Sequence, residues 1–287
     1  MKEQEPKIVA LVDGSIYSAS VCEHAAWIAG RTGAPVELIH VLARNQTTAT
    51  QDHSGTIVLG ARTALLEELA ELDMRRAKLV GQHGRAILED AHAILQKARA
   101  PAITTRLRQG DIVEEATKFE ADARVIVIGK RGEGADFAKG HIGSKVERIV
   151  RACQRPVLVA SRAFNPIARV LLAYDGGASA RKAVDHIAQS PVFRGLTVHV
   201  VTVGKATPDA VTGLEQACAT LTAAGIEAEG DIQPGQPDTA LATLLEDARF
   251  DLLVMGAYGH SRIRSLIIGS TTTAMIRSCK LPVVLIR

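Results

Sequence analysis

Aromatic side chains make up only 3% of the chain, with a single Trp. That scarcity argues against stacking platforms for single-stranded nucleic acid or sugars. The four cysteines, Cys22, Cys153, Cys218 and Cys279, lie far apart and form no C-x-x-C pair. Neither a zinc site nor a disulfide framework is indicated. No apolar run is long enough to cross a bilayer, which takes roughly 18 residues or more. The charged start, Met1 to Lys7, lacks the apolar core of a secretion signal, and a cytoplasmic protein is the expectation. Charge of one sign is also missing. Lys and Arg number 34 against 31 Asp and Glu, a formal net charge of +3. Such a balance suits small anions at local sites and falls short of a DNA-binding footprint. Neither nucleic acid nor a membrane is an expected partner.

What is present is apolar and repetitive. Hydrophobic residues make up 47% of 287, enough to bury the cores of two ordinary domains. The chain repeats itself once. Lys7-Ile-Val-Ala-Leu-Val-Asp13-Gly14 returns as Arg169-Val-Leu-Leu-Ala-Tyr-Asp175-Gly176. Gly143-Ser144, Arg151-Ala-Cys153 and Pro156-Val157 return as Gly269-Ser270, Arg277-Ser-Cys279 and Pro282-Val283. In each copy, short Val/Ile/Leu runs alternate with helical patterns. The runs are Ile8–Val12, Val36–Leu42, Ile103–Leu107, Val125–Ile128 and Val157–Ala160, then Val170–Tyr174, Leu196–Val203, Ala228–Ile232, Leu252–Met255 and Val283–Ile286. Continuous apolar runs mark strands buried on both faces, and crossover helices make the sheet parallel. The expected fold is α/β, with two Rossmann-like doubly wound domains, each a five-stranded parallel sheet with flanking helices. The expected division is 1–164 and 165–287, with the turn Asn165-Pro166 at the junction.

The copies differ most between strands two and three, where Ala43–Ala102 replaces the much shorter Gly204–Ile226. Thr47–Ser54 is polar and reads as loop. Leu59–Ala100 reads as helix, with Leu65, Leu69, Leu72 and Leu79 at three-, four- and seven-residue steps. A helix of that length reaches about 60 Å. It either packs on the sheet, overhangs its own domain and meets another protomer, or breaks near Gly81 and Gly84.

Open parallel sheets bind ligands at strand carboxyl ends, near the point where strand order reverses. Strand four of the second copy runs into Gly256-Ala-Tyr-Gly259, followed after nine residues by Gly269-Ser270-Thr271. In the first copy Gly129-Lys-Arg-Gly132 is followed, after ten residues, by Gly143-Ser144. Glycines let backbone N–H groups approach a ligand, and the unpaired N–H groups of a helix start favour phosphate. Ser270, Thr271 and Thr272 add hydroxyl donors. In the first copy Ser144 does so, with positive charge from Lys130, Arg131 and Lys145. His141 and His260 flank the loops and read as solvated or phosphate-facing. Asp13 and Asp175 read as turn residues or as ligand contacts.

Taken together, Asp after strand one, G-x2-G-x9-G-(S/T) after strand four and a terminal Pro-Val strand resemble the universal stress protein family in its tandem form. The resemblance covers roughly residues 7–161 and 168–287. It implies a strand order of 3-2-1-4-5 in each domain and binding of ATP, with Mg²⁺ able to accompany the phosphates. It places Asp13 and Asp175 at the adenosine end, and backbone groups near Val41 and Val201 against adenine. Gly129, Gly132, Gly143 and Ser144, or Gly256, Gly259, Gly269, Ser270 and Thr271, would hold ribose and phosphates. The first copy departs from the pattern by its ten-residue spacer. The resemblance also implies a pseudo-dimer within the chain, paired through Val157–Ala160 and Val283–Ile286; a homodimer of the whole chain is a further expectation.

No P-loop is present, and Gly132-Glu-Gly134 follows strand four rather than opening the first βα turn, so it is no dinucleotide fingerprint. No nucleophile–base spacing stands out. The leading expectation is therefore an ATP-binding protein of stress response or signalling, not an enzyme. A slow ATP hydrolase or self-phosphorylating protein is a second reading. An interaction module with a vestigial pocket is a third.

Overall fold

The computed structural model describes residues 6–43, 59–131, 144–246, 250–257 and 269–287, and the side chains of 59–64, 66 and 144 are outside the described set. The expected loop Thr47–Ser54 lies outside the described residues. The first half runs β1 (Lys7–Leu11), α1 (Ser18–Thr32), β2 (Val36–Leu42), α2 (Leu59–Lys97), β3 (Ile103–Gln109), α3 (Ile112–Glu120), β4 (Ala123–Gly129), α4 (Ser144–Ala152) and β5 (Val157–Ala160). The second runs β6 (Arg169–Ala173), α5 (Ala178–Gln189), β7 (Thr197–Val203), α6 (Pro208–Ala223), β8 (Glu227–Gln233), α7 (Pro237–Glu246), β9 (Leu252–Gly256), α8 (Ser270–Ser278) and β10 (Val283–Ile286).

All ten strands join one sheet, in the order β3-β2-β1-β4-β5-β10-β9-β6-β7-β8. Each half thus has the expected order 3-2-1-4-5, parallel throughout. The halves meet antiparallel at β5 and β10, with Leu158 opposite Val284. All eight residues of these two strands are buried. Helices cover both faces, and the apolar residues fall into one core on each side of the sheet.

The strands nearest the middle are continuous apolar runs, as expected of strands covered on both faces. The outer strands differ from the expectation. β3 reads Ile-Thr-Thr-Arg-Leu-Arg-Gln and is largely exposed, and β8 carries Glu227, Glu229 and Asp231. Charge at a sheet edge discourages pairing with other chains, so these strands extend past their short apolar runs. Inside β3, the buried Glu37 carboxylate of β2 is paired with Arg106 of β3 and with Lys7 at 3.4 Å.

The long segment forms one helix from Leu59 to Lys97 and does not break at Gly81 or Gly84. Its second half packs on β2 and β3, burying Ile87, Leu88, Ala91 and Leu95. Gly84 is the point of closest approach. A Cβ there would stand 2.8 Å from Leu107 and 3.0 Å from His40, so glycine permits the contact. Residues 65–80 of α2 are exposed wherever described.

Two histidines sit near the junction of the halves. His24 of α1 is fully buried, with Nδ1 2.7 Å from the Ser20 carbonyl and its ring edge-on to Phe164. Burial lowers its pKa from 6.5 to about 4. His186 of α5, against Phe193, is lowered to about 4 by burial and then by Arg124. In each case the unfolded chain binds the proton first as pH falls. Stability is therefore full above pH 6.5 and declines towards pH 4, by about 1.4 kcal/mol for each unit separating the two pKa values. Urea titrations across this range should show that decline, and His24→Phe should flatten it. An unchanged slope in that variant would remove His24 from the account.

Candidate functional site

A cavity of about 600 Å³ opens at the carboxyl edge of the second half, where strand order reverses between β6 and β9. Its base is formed by Ala173–Asp175 after β6, Val201–Lys205 at the end of β7, and Met255-Gly256 of β9. Gly269–Thr272 at the start of α8 form one wall, while Ala210 of α6 and Pro237 and Leu241 of α7 form others. Seven of the residues expected from the sequence meet here: Asp175, Val201, Gly256, Gly269, Ser270, Thr271 and Thr272. Gly259 and His260 lie outside the described residues.

Asp175 shapes the first turn. Its Oδ1 accepts the Gly177 N–H at 2.8 Å, and Asp13 Oδ1 accepts the Ser15 N–H at 3.0 Å in the first half. These bonds are the turn role open to both residues from sequence, and Asp175 also borders the cavity. Tyr174 beside it is 8% exposed, and burial raises its pKa, so its hydroxyl is neutral.

The helix start is held by two bonds to the end of β9. Gly269 N–H donates to the Ala257 carbonyl at 3.4 Å, and the Thr272 hydroxyl donates to the Gly256 carbonyl at 3.2 Å. Thr272 is 2% exposed. Its hydroxyl thus anchors α8, which corrects its expected role as a phosphate donor. Gly269 caps α8 without a side-chain hydrogen bond, and Ser270 and Thr271 of the first turn, where helix N–H groups lack intrahelical partners, line the cavity.

Gly256 serves packing as much as access. A Cβ on it would fall within 3.0 Å of the Ser179 Cβ and 3.2 Å of the Ala180 nitrogen, at the first turn of α5. Gly129 faces Tyr17 in the same way, at 2.7 Å. Both glycines thus have a packing duty beside the ligand access expected of them.

Two residues of the cavity went unrecognised in the sequence. Thr202 Oγ1 is buried with no hydrogen-bond partner among the described residues, and Lys205 brings a positive charge. Neither belongs to a motif; their only signal is position at the end of an apolar run. Register also refines the strand-two assignment. Val36 pairs with Ile8 and Val198 with Val170, so the counterpart of Val41 is Val203 rather than Val201.

In the first half the matching edge is built differently. Gly132, Gly143, His141 and the Ser144 side chain lie outside the described residues, and Ser144 begins α4 as Ser270 begins α8. Lys130, expected to offer charge to a ligand, instead donates from Nζ to the Cys279 carbonyl at the end of α8. Burial lowers its pKa, and Arg131 lowers it further. His40 stands where Thr202 stands in the second half, with Nδ1 2.8 Å from the Val12 carbonyl. Helix α2 lies directly on it at Gly84.

The model of the Universal stress protein family matches residues 6–161 and 206–287. The chain is 37% identical over 284 residues to Universal stress protein Slr1230 of Synechocystis sp., covering 98% of this chain and 99% of that one. The chain belongs to the universal stress protein family. A universal stress protein of Mycolicibacterium smegmatis is 24% identical over 98% of this chain and 96% of its own. The crystal structure of a universal stress protein from Archaeoglobus fulgidus superposes with a TM-score of 0.72 at 20% identity, over 99% of both chains, and supports the fold. The family match omits 162–205, yet β6 and β7 of this universal stress protein pair as β1 and β2 do.

Replacing Gly256 with Ala should lower stability by about 1–3 kcal/mol, the usual cost of overpacking. Thermal unfolding in the absence of any ligand reads this out. An unchanged Tm would show that α5 yields at Ser179.

Proposed function

We propose that this universal stress protein binds ATP in its second half, as a ligand in stress response or signalling rather than as fuel for rapid turnover. The two units taken to carry the sites are 1–164 and 165–287. The observation that carries the reading is the cavity itself. Its volume lies in the range of small-molecule and cofactor sites. It joins a turn carboxylate, a strand end with an unsatisfied hydroxyl, and an uncapped helix start, three groups suited to ribose, base and phosphate in turn. The orphaned Thr202 Oγ1 is the kind of group that a base edge satisfies. Lys205 adds charge at the open side. Among the described residues no group of three or more His, Cys, Asp or Glu gathers to hold a metal. In this reading any Mg²⁺ is carried mainly by the phosphates.

Bound this way, ATP bridges β6, β7 and α8, so occupancy stiffens three elements at once. The first half is the weaker site in this reading, since Lys130 is engaged with α8 and α2 crowds His40.

Gly269→Val places a branched side chain where phosphate meets the helix end. Calorimetry should then show ATP affinity at the second site falling at least about tenfold, or 1.4 kcal/mol. Unchanged affinity in a variant that also carries Gly143→Val removes the assignment. Mass spectrometry of small molecules released from freshly purified protein tests the ligand class independently.

The two single variants should also differ. At physiological salt Gly269→Val should cost more ATP binding than Gly143→Val, and what remains in Gly269→Val should fall faster as salt is raised. Exposed charges are screened within about 8–10 Å, whereas fixed backbone donors lose less. Loss of binding in Gly143→Val alone would reverse the ranking.

A further inference from the structure

The exposed half of α2 carries a stripe that the fold leaves uncovered. Leu65, Leu69, Leu72 and Leu79 are between 45% and 65% exposed, and Val80 is 37% exposed. Their steps of four, three and seven residues place them on one side of the helix, with Arg76 in the remaining position of the series. Large apolar side chains clustered in this way on a surface mark an interface.

Charge along the same stretch says what covers it. From 65 to 73 the charged residues are Glu67, Glu68, Glu71 and Asp73; from 74 to 85 they are Arg75, Arg76, Lys78 and Arg85. One half of the stretch is acidic and the other basic. A parallel pairing with an identical helix would set like charges together. An antiparallel pairing instead lets Glu68 of one copy reach Arg75 of the other.

We propose that two copies of this chain dimerise through this segment of α2, packed antiparallel about a twofold axis. In the register that fits the stripe, Leu69 of each copy meets Leu72 of the other, and Leu65 lies along the stem of Arg76. Glu68 of each copy then faces Arg75 of the other, twice by symmetry. Helices in proteins draw most of their stability from packing an apolar face, and a second copy supplies the missing apolar partner. This interface lies apart from the nucleotide cavity and does not depend on it.

The test is sedimentation equilibrium on the full chain over a concentration series. A dimer is expected. Leu69→Lys with Leu72→Lys should raise its dissociation constant at least about tenfold. Both side chains are exposed, and circular dichroism and thermal unfolding check that the body is unaltered. Glu68→Arg and Arg75→Glu should each weaken self-association about threefold or more, since each creates two like-charge pairs. Mixing these two variants should restore tight association, because every 68–75 pair across the heterodimer is again of opposite sign. A chain that stays monomeric, or a dimer indifferent to the leucine changes, overturns the proposal. Failure of the mixture to recover the association overturns the antiparallel register.

Discussion

The antiparallel pairing of β5 with β10 is the constraint on which the rest of the molecule depends. Each is a four-residue apolar strand at the end of its half-sheet, Val157–Ala160 and Val283–Ile286. Left alone, either would present a flat hydrophobic edge with unpaired backbone groups. Pairing them covers both and fuses ten strands into one sheet. It also fixes where the carboxyl edges of the two halves lie. Strands are parallel within each half, so an antiparallel junction points the carboxyl ends of the halves to opposite edges of the sheet. The cavity after β6 and β9 is therefore on the edge opposite the loops after β1 and β4.

That geometry brings each carboxyl edge against the helix ends of the other half. Lys130, just past β4, donates to the Cys279 carbonyl that closes α8. Arg287, just past β10, donates to the Arg151 carbonyl in the last turn of α4 at 2.7 Å. A cation at the carboxyl end of a helix satisfies orphan carbonyls and meets the negative end of the dipole. The two contacts close corresponding helices of the two halves but come from different strand ends, after β4 and after β10, and only Lys130 is drawn from a glycine loop. Elsewhere the halves have diverged by exchange of charge. Glu37 paired with Arg106 in the first half becomes His199 bonded to Asp231 at 2.7 Å in the second, at matching positions of strands two and three.

Element order was legible because the repeat supplies two readings of one pattern, and because buried parallel strands are continuous apolar runs; the strand order 3-2-1-4-5 came only with the family resemblance. β1, β2, β5 and β10 fall within a residue of their apolar limits. β3 and β8 ran longer than their apolar cores, since at a sheet edge backbone pairing rather than burial decides the strand. The continuity of α2 through Gly81 and Gly84 was undetermined from sequence. Propensity argues for a break there, and the close approach of Gly84 to Leu107 and His40 overrides it. Of the cavity, the motif residues were legible and Thr202 and Lys205 were not. A strand end contributes by position and register, which no local spacing encodes.

The glycine motif itself separates into parts with different physical duties. Its first glycine, Gly129 or Gly256, sits under the first turn of the helix that follows strand one, where any Cβ would meet Tyr17 or Ser179. That duty exists with or without a ligand. The Gly-Ser at the far end opens α8, where Gly269 provides no side-chain cap and Thr272 pins the turn to the Gly256 carbonyl. The same bond that anchors the helix thus holds its first turn against the cavity. A chain could keep the first glycine for packing after its pocket had been filled, as His40 and α2 crowd the first half. Retention of that glycine reports the fold, and the open helix start beside an unfilled strand end reports the site.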